Sequence, residues 1–273
     1  MPRLWRADDL GSVNGILSFA GIRRSGLGFG ERFDLISMLA WGDKTVLYED
    51  FYGDSAETTK FLETQISGGG TLTYPAVANG VARVTTGAAG ADDGMVLAGN
   101  LVWMGDLNIV AQTRVRANVV TTLKVEFGFG DLAARNTEIV NDYDTPSLAT
   151  DQTDVLCAVV DTGGTNGNRW QLVTDGSTTN MNATATQSGE AIGAAATALT
   201  TAVANIYDVI TLTGIGNRAR MYRNGKSLAH HGATVASQFE GGSVVAPYLH
   251  GATLTTADKL IDFDYLVVAQ DRT

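Results

Sequence analysis

Disulfide bonding within this chain is excluded, because Cys157 is the one cysteine among its 273 residues. Cys157 lies in the apolar run 155–160, so we expect a small buried side chain rather than a nucleophile. No apolar run approaches the roughly 18 residues that cross a bilayer, and the first residues lack the apolar stretch of a secretion signal. We therefore expect synthesis in a reducing cytoplasm, with no signal peptide and no membrane among the partners.

Basic side chains are also scarce. The sequence has 19 Lys and Arg residues against 29 Asp and Glu residues, which gives a net charge of −10. A protein that binds nucleic acid normally presents a basic surface, so we expect no nucleic acid as a partner. The charge is uneven along the chain, because residues 1–44 carry a net +1 and the remainder carries −11.

Proline is rare, with 4 residues, whereas glycine is abundant, with 32. From residue 45 onward, short stretches of alternating polarity such as 107–116 and 122–130 are separated by glycine-containing turns, a pattern typical of strands. Two dipeptides predict hairpin turns, Asn79-Gly80 and Asn224-Gly225. Ten or more short strands predict an all-β fold, an antiparallel β-sandwich of the jelly-roll type. Residues 183–205 fit a strand, a helix or a loop.

The first 44 residues do not share this pattern. Their apolar side chains follow neither a period of 2 nor one of 3.6, and glycine-rich spacers interrupt them. We predict an N-terminal extended arm (1–44) with one short helical turn over 31–41, followed by the sandwich (45–273). Aromatic side chains on a free arm would face solvent, so the arm is predicted to be an anchoring or assembly segment. The side chains proposed for that role are Leu4, Trp5, Phe19, Phe29, Phe33 and Trp41.

Three segments resemble the concanavalin-A-like lectin/glucanase superfamily, which includes laminin-G-like domains. They are the opening stretch 47–54, the pair of alternating runs within 207–226 that ends on an Asn-Gly tip, and the closing stretch 260–268. The resemblance covers residues 45–273. It implies a concanavalin-A-like jelly roll and, with it, either carbohydrate binding or carbohydrate cleavage.

Glucanases of that superfamily carry paired carboxylates in a Glu-x-Asp-x-x-Glu pattern on one strand of the concave sheet, where they flank the scissile bond. Here the nearest approach is Asp262-Phe-Asp264, with no Glu after it, and Glu126 stands alone on its strand. We therefore predict no catalytic residues and no enzyme activity. These carboxylates are expected to be solvated strand or edge charges.

The superfamily resemblance also implies calcium as a structural ion, bound by hard oxygen ligands. Two clusters of such ligands occur in loops, around Asp142 and around Asp161, but neither has the spacing of a known calcium loop. His230-His231 would need a third ligand to bind a metal. We predict no cofactor; a structural calcium ion is left open by the resemblance and is not supported by a motif.

Four aromatic side chains are candidates for stacking on sugar rings if they are exposed: Trp103, Trp170, Tyr143 and Tyr248. For Trp170 the alternation with Leu172 favours packing in the core instead.

The composition and the glycine-rich arm resemble tailed-bacteriophage virion proteins such as capsid decoration proteins, head fibres and tail components. This resemblance implies a non-enzymatic structural protein of the virion, anchored by its arm to a capsid or tail protein and forming a homo-oligomer. The first alternative is a lectin-like carbohydrate-binding module that recognises host surface glycans. The second alternative is a polysaccharide hydrolase or lyase.

Overall fold

The computed structural model describes residues 10–13, 16–19, 44–53, 59–77, 80–119, 121–131, 133–134, 137–142, 149–150, 152–163, 170–175, 182–184, 207–215, 218–231 and 244–272. The regular secondary structure of these residues consists of β-strands. Within these ranges there is no helix of the length and apolarity needed to cross a membrane.

The described strands follow one another along the chain. They are β1 (Leu10–Val13), β2 (Ile16–Phe19), β3 (Lys44–Glu49), β4 (Phe61–Ile66), β5 (Thr71–Thr73), β6 (Ala82–Thr85), β7 (Gly94–Gly99), β8 (Trp103–Met104), β9 (Ile109–Ala117), β10 (Leu123–Gly130), β11 (Val140–Asp142), β12 (Ala149–Thr150), β13 (Val155–Asp161), β14 (Gln171–Asp175), β15 (Asn182–Thr184), β16 (Asp208–Ile215), β17 (Arg218–Arg223), β18 (Lys226–His231), β19 (Val244–Thr253) and β20 (Leu260–Asp271).

Two large sheets contain most of these strands. Sheet I has the order β18-β17-β16-β9-β20-β6-β5, with β3 also paired to β20. Sheet II has the order β15-β14-β13-β10-β19-β7-β4, with β8 also paired to β19. The pairs β1-β2 and β11-β12 form small sheets of their own. Every described pairing between strands within sheet I, and within sheet II, is antiparallel. The predicted antiparallel β-sandwich is therefore confirmed.

The sheets pack face to face through alternate side chains of their strands. Ile109 and Val115 of β9 in sheet I lie in the same buried cluster as Val125, Phe127 and Phe129 of β10 in sheet II. This confirms the alternation predicted for 107–116 and 122–130. Burial of large apolar side chains of this kind contributes about 1.5–3 kcal/mol each, so this shared layer is the main source of stability.

A β-bulge in β20 changes which side chains face outward. Phe263 is opposite Val115 and Leu266 is opposite Thr113, so two residues of β20 oppose one residue of β9. Phe263 and Leu266 both point into the core. As a result, Asp264 is left on the outer side of sheet I, and the alternation restarts after the bulge.

Sheet II is covered on its outer face as well. A second apolar cluster contains Val96, Cys157, Val159 and Tyr248 from the sheet, together with Ile139 and Val140 from the segment that crosses over it. Strands buried on both faces read as continuous apolar runs rather than alternating ones. This explains why 155–160 is apolar at every position, and it confirms that Cys157 is buried.

Three strands of sheet II were not predicted: β4, β8 and β19. Proline normally argues against a strand interior, because it lacks the N–H that a neighbouring strand needs, and β19 contains Pro247. Gly99 makes room for the ring, since a Cβ at Gly99 would lie 2.5 Å from Cγ of Pro247. The predicted hairpin at Asn224-Gly225 is confirmed by the pairing of β17 with β18.

The predicted hairpin at Asn79-Gly80 is confirmed only as a pairing of β5 with β6, since a longer connection (74–81) joins the strands. In the arm, residues 10–13 and 16–19 are extended as the strands β1 and β2, and the sequence did not predict that these two strands pair with each other. The predicted helical turn over 31–41 lies outside the described residues. The sandwich begins at Lys44, one residue before the predicted boundary.

Candidate functional site

Three ionisable side chains project from the outer face of sheet II. Lys124 and Glu126 are two residues apart on β10, so they share one side of the sheet while Val125 and Phe127 occupy the other. His250 of β19 lies directly opposite Glu126 in the strand register. Alternation alone therefore brings a cation, an anion and an imidazole together at the centre of this face.

Glu126 is completely buried and accepts hydrogen bonds on both carboxylate oxygens. The backbone N–H groups of Ile139 and Val140 donate to it at 2.8 and 2.9 Å. His250 Nδ1 lies 3.1 Å from Glu126 Oε2. A buried carboxylate is tolerated only when its oxygens are paired in this way, so Glu126 fixes the segment 138–140 to the sheet.

Lys124 completes this arrangement from the other side. Its ammonium group donates to the Glu138 carboxylate and to the carbonyl of Val140, and it lies 3.6 Å from Glu126 Oε1. We call Lys124, Glu126, Glu138 and His250 the buried clasp. It joins two strands of sheet II to the segment that covers them.

The charges of the clasp support each other. Burial raises the pKa of Glu126, but the Lys124 ammonium and the hydrogen bonds from His250 and Ile139 outweigh burial and lower that pKa to about 2. Burial raises the pKa of Glu138, and this effect outweighs the positive charge of Lys124, which lowers the pKa. The negative charge of Glu126 also raises it. The pKa of Lys124 is raised, because the two carboxylates outweigh the effect of its burial.

Glu126, Glu138 and His250 also form a possible ligand set for a metal, with one ligand atom from each within 4.8 Å of the others. The Lys124 ammonium, however, contacts both carboxylates at the place that a cation would take. The residues of the clasp therefore do not fit a calcium ion or another divalent cation while Lys124 is in place.

A second group of charged side chains lies on the outer face of sheet I. Asp262 is opposite Arg83 of β6 on one side and opposite Arg116 of β9 on the other. Arg83 donates to both carboxylate oxygens of Asp262, at 2.6 and 2.9 Å. Arg116 donates to Oδ2 from Nε at 2.9 Å. One buried aspartate thus holds two arginines in a row across three strands.

The next row along β9 repeats the arrangement. Arg114 Nη1 donates to Asp264 Oδ2 at 2.7 Å. The Tyr207 ring contacts both arginines of β9, with its centroid 4.2 Å from Cζ of Arg114 and 4.7 Å from Cζ of Arg116. We call Arg83, Arg114, Arg116, Tyr207, Asp262 and Asp264 the arginine–tyrosine face.

The arginines of this face reach the solvent, whereas the aspartates do not. The side chains of Arg83 and Arg114 are 29% and 32% exposed, but those of Asp262 and Asp264 are 3% and 8% exposed. Burial raises the pKa of Asp264, against the opposing charge of Arg114. The face therefore presents guanidinium groups and an aromatic ring to solvent from fixed positions.

These observations correct the expectation that the strand carboxylates are solvated. Glu126, Asp262 and Asp264 are buried and paired. The sequence contained a signal for this, because the pairs Lys124/Glu126, Arg114/Arg116 and Asp262/Asp264 are each two residues apart on a strand and share a face. The partners Glu138, His250 and Tyr207 were missed, since only the folded chain brings them close: His250 by the register of β10 with β19, and Glu138 and Tyr207 from just before β11 and β16.

The candidate sugar-stacking aromatics that the structure describes are not exposed. Trp103, Trp170 and Tyr248 are buried, and Tyr143 lies outside the described residues. Core packing of Trp170 is confirmed, with its indole N–H 3.4 Å from Asp208 Oδ2. Burial raises the pKa of Cys157 well above its usual range, which is unfavourable for a nucleophile.

The remaining sequence candidates are not placed in a site. Asp161 of the second calcium candidate is nearly buried and accepts a hydrogen bond from the Gly163 N–H at 2.9 Å, and the side chains of the first candidate lie outside the described residues. His230 and His231 belong to β18, and their side chains are not described. Among the proposed arm residues, the backbone of Phe19 lies in β2. The other five lie outside the described residues: Leu4, Trp5, Phe29, Phe33 and Trp41.

No protein-family model matches this sequence, and no curated protein matches it. Several solved structures are similar. A protein of unknown function from Shewanella oneidensis MR-1 has a TM-score of 0.54 and 10% identity over 87% of this chain and 92% of its own. An endo-acting O-glycanase of the human gut microbiota has a TM-score of 0.53 and 8% identity over 82% of this chain and 98% of its own. The carbohydrate recognition domain of Emp46p, in a potassium-bound form, has a TM-score of 0.52 and 10% identity over 82% and 96%.

Identities near 10% show the fold alone. The chain therefore has the concanavalin-A-like jelly-roll sandwich that its sequence predicts, a fold that also occurs in carbohydrate-binding and carbohydrate-cleaving proteins.

Proposed function

We propose that this protein is a non-catalytic carbohydrate-binding module of the lectin type. The observation that carries the proposal is the arginine–tyrosine face, where ion pairs with buried aspartates hold partly exposed guanidinium groups beside an aromatic ring. Fixed polar donors next to an aromatic surface suit a sugar, which offers hydroxyl oxygens at its rim and apolar C–H groups on its faces. The shared fold with a carbohydrate recognition domain is consistent with this function.

Binding of the full-length chain to a panel of immobilised glycans tests the proposal. We expect retention on at least one class of glycan, and loss of that retention in Tyr207→Ala. Tyr52→Ala is the matched control, because Tyr52 is 77% exposed and lies outside the face. A folded protein that binds no member of a panel covering neutral, acidic and amino sugars would contradict the proposal.

We expect no catalysis at the buried clasp, for a geometric reason. The pKa values of Glu126 and Glu138 are moved apart, as in the acid and nucleophile of a glycosidase. A nucleophile must contact the anomeric carbon, however, and both Glu126 oxygens are taken up by backbone N–H groups under the buried residues Ile139 and Val140. Lys124 also lies between the two carboxylates. We therefore expect no release of reducing ends from glycans that the protein binds.

A structural role in a virion is the second candidate function. The observation that favours it is the β1-β2 hairpin, which forms its own two-stranded sheet outside sheets I and II. An arm of this kind would attach the sandwich to a capsid or tail protein, or to copies of the chain itself. Light scattering of the full chain beside a chain that starts at Lys44 tests this role. Association of the full chain but not of the shortened chain supports the virion role. If both chains are monomers, the virion role is contradicted.

A further inference from the structure

The guanidinium groups of the arginine–tyrosine face are spaced for recognition of a charged ligand. Neighbouring strands lie about 4.8 Å apart, and residues two apart on one strand are separated by about 7 Å. Arg83 and Arg116 flank the strand that carries Asp262, and Arg114 lies two residues along β9 from Arg116. The three positive groups thus occupy an area comparable to one or two sugar rings.

Each arginine keeps donors that its aspartate does not use. A guanidinium has five N–H donors in a planar fork. Within the described structure Arg114 donates a hydrogen bond from Nη1 to Asp264. Arg83 donates from Nε and Nη2 to Asp262. Nε and Nη2 of Arg114 and Nη1 of Arg83 therefore remain for a ligand. Because the aspartates already fix the side chains, little rotamer entropy is lost when a ligand binds.

The charge of the face selects the sign of the ligand. Three arginines against two aspartates give this face a net +1, on a chain whose net charge is −10. A guanidinium fork matches a carboxylate or a sulfate group through two parallel hydrogen bonds. The negative charge of the rest of the chain repels a long polyanion such as nucleic acid. A short ligand with few negative groups is repelled much less.

An aromatic side chain beside the face can supply the contact to a sugar ring. Tyr48 of β3 is 48% exposed and lies opposite Val267 of β20, three residues along that strand from Asp264. Partial burial of its side chain, together with the negative charges of Asp50, Asp264 and Glu49, raises the pKa of Tyr48. Tyr48 therefore presents a half-exposed aromatic side chain on the strand next to the one that carries Asp262 and Asp264.

We propose that the arginine–tyrosine face, with Tyr48 at its border, binds acidic saccharides through their carboxylate or sulfate groups. This inference rests on the proposed carbohydrate-binding function and names its ligand class. Arg114 holds the acidic group of one sugar, and Tyr48, on the other side of β20, packs against a neighbouring ring of the same saccharide.

Titration calorimetry on the full-length protein tests this assignment with three probes: a uronic-acid tetrasaccharide, the same tetrasaccharide with its carboxyl groups reduced to alcohols, and a sulfated tetrasaccharide. We expect binding of one or both acidic probes and at least tenfold weaker binding of the reduced one. The two acidic probes distinguish carboxylate from sulfate recognition.

Three variants locate the site. Arg114→Lys keeps the charge but loses the fork, and Tyr48→Ala loses the aromatic surface; each is expected to weaken binding about tenfold or more. Arg272→Gln is the control, because Arg272 is exposed just beyond the far end of β20, ten residues or about 34 Å from Asp262. It should bind like the parent chain. Thermal unfolding of each variant confirms that it is folded.

The outcomes separate this inference from the proposed function. Equal binding of the reduced and acidic probes overturns the acidic-ligand inference and leaves the carbohydrate-binding function standing. Acidic binding that survives both Arg114→Lys and Tyr48→Ala overturns the location. Absence of binding to all three probes and to the glycan panel overturns both the inference and the function.

Discussion

His250 and Glu126 face each other across the neighbouring strands β19 and β10, with 3.1 Å between His250 Nδ1 and Glu126 Oε2. Because the pKa of Glu126 is lowered to about 2, this carboxyl is ionised near neutral pH and accepts the hydrogen bond. Nδ1 of His250 is therefore the donor. The pair is part of the buried clasp, and the segment 138–140 packs on it.

Removal of the Glu126 charge should destabilise the whole sandwich. In Glu126→Gln the Lys124 ammonium loses one of its two carboxylate partners, and one amide oxygen replaces two carboxylate oxygens as acceptors for the N–H groups of Ile139 and Val140. Breaking a buried ion pair on one side costs about 3–5 kcal/mol. Urea unfolding measures the loss. Glu63→Gln is the matched control, an exposed strand carboxylate whose replacement should cost less than about 1 kcal/mol; equal losses in the two variants would contradict the role of the clasp.

The same carboxylate predicts a defined dependence of stability on pH. Its pKa is about 2 in the folded chain, below the value of about 4.3 in an unfolded one. A lowered pKa contributes stability above pH 4.3, and this contribution is lost as the pH falls toward 2. The difference amounts to roughly 3 kcal/mol. The gap in unfolding free energy between the parent chain and Glu126→Gln should therefore narrow between pH 5 and pH 2.

Glu138 acts in the opposite direction, because its pKa is raised in the folded chain. Its contribution is present at low pH and is lost as the pH rises through the folded-state pKa. Glu138→Gln should therefore gain stability relative to the parent chain as the pH is raised stepwise from about 4.3, the ordinary pKa of a glutamate, provided that Lys124 keeps Glu126 as a partner. A gap that stays constant across this range would show that Glu138 does not titrate in the clasp.

The sequence was sufficient to predict the class of fold, since alternation along strands such as β9 and β10 reports which side chains face the core. It also placed Lys124 and Glu126 two residues apart on one strand. It did not reveal that this face is covered, because Ile139 and Val140 reach it from a separate segment. The same limit applies to Asp262, whose two arginine partners are 179 and 146 residues away in the sequence.

Replacement of Lys124 should convert the clasp into a cation site. In Lys124→Met the carboxylates of Glu126 and Glu138 remain close to His250 without the ammonium between them. The variant should unfold at a lower temperature than the parent chain, because the neighbouring carboxylates of Glu126 and Glu138 repel each other. Zinc or calcium should raise the unfolding temperature of the variant. Neither these metals nor EDTA should change the unfolding temperature of the parent chain. Stabilisation of the parent chain by a metal would contradict the view that Lys124 takes the place of the ion.

Gly128 is the position on β10 where a side chain is least tolerable. A Cβ at this residue would lie 2.1 Å from the carbonyl oxygen of Leu156 and 2.6 Å from Cα of Cys157, both in the backbone of β13. Backbone of a central strand moves only if its neighbours move, so Gly128→Ala should cost about 3 kcal/mol, the upper end of the usual range for overpacking. Gly90→Ala is the control, because a Cβ at Gly90 meets nothing within 4 Å. That variant should change the unfolding free energy by less than about 1 kcal/mol, and in favour of the folded state, because alanine restricts the unfolded chain. Equal stability of the two variants would mean that β10 and β13 are not packed as closely as their register requires.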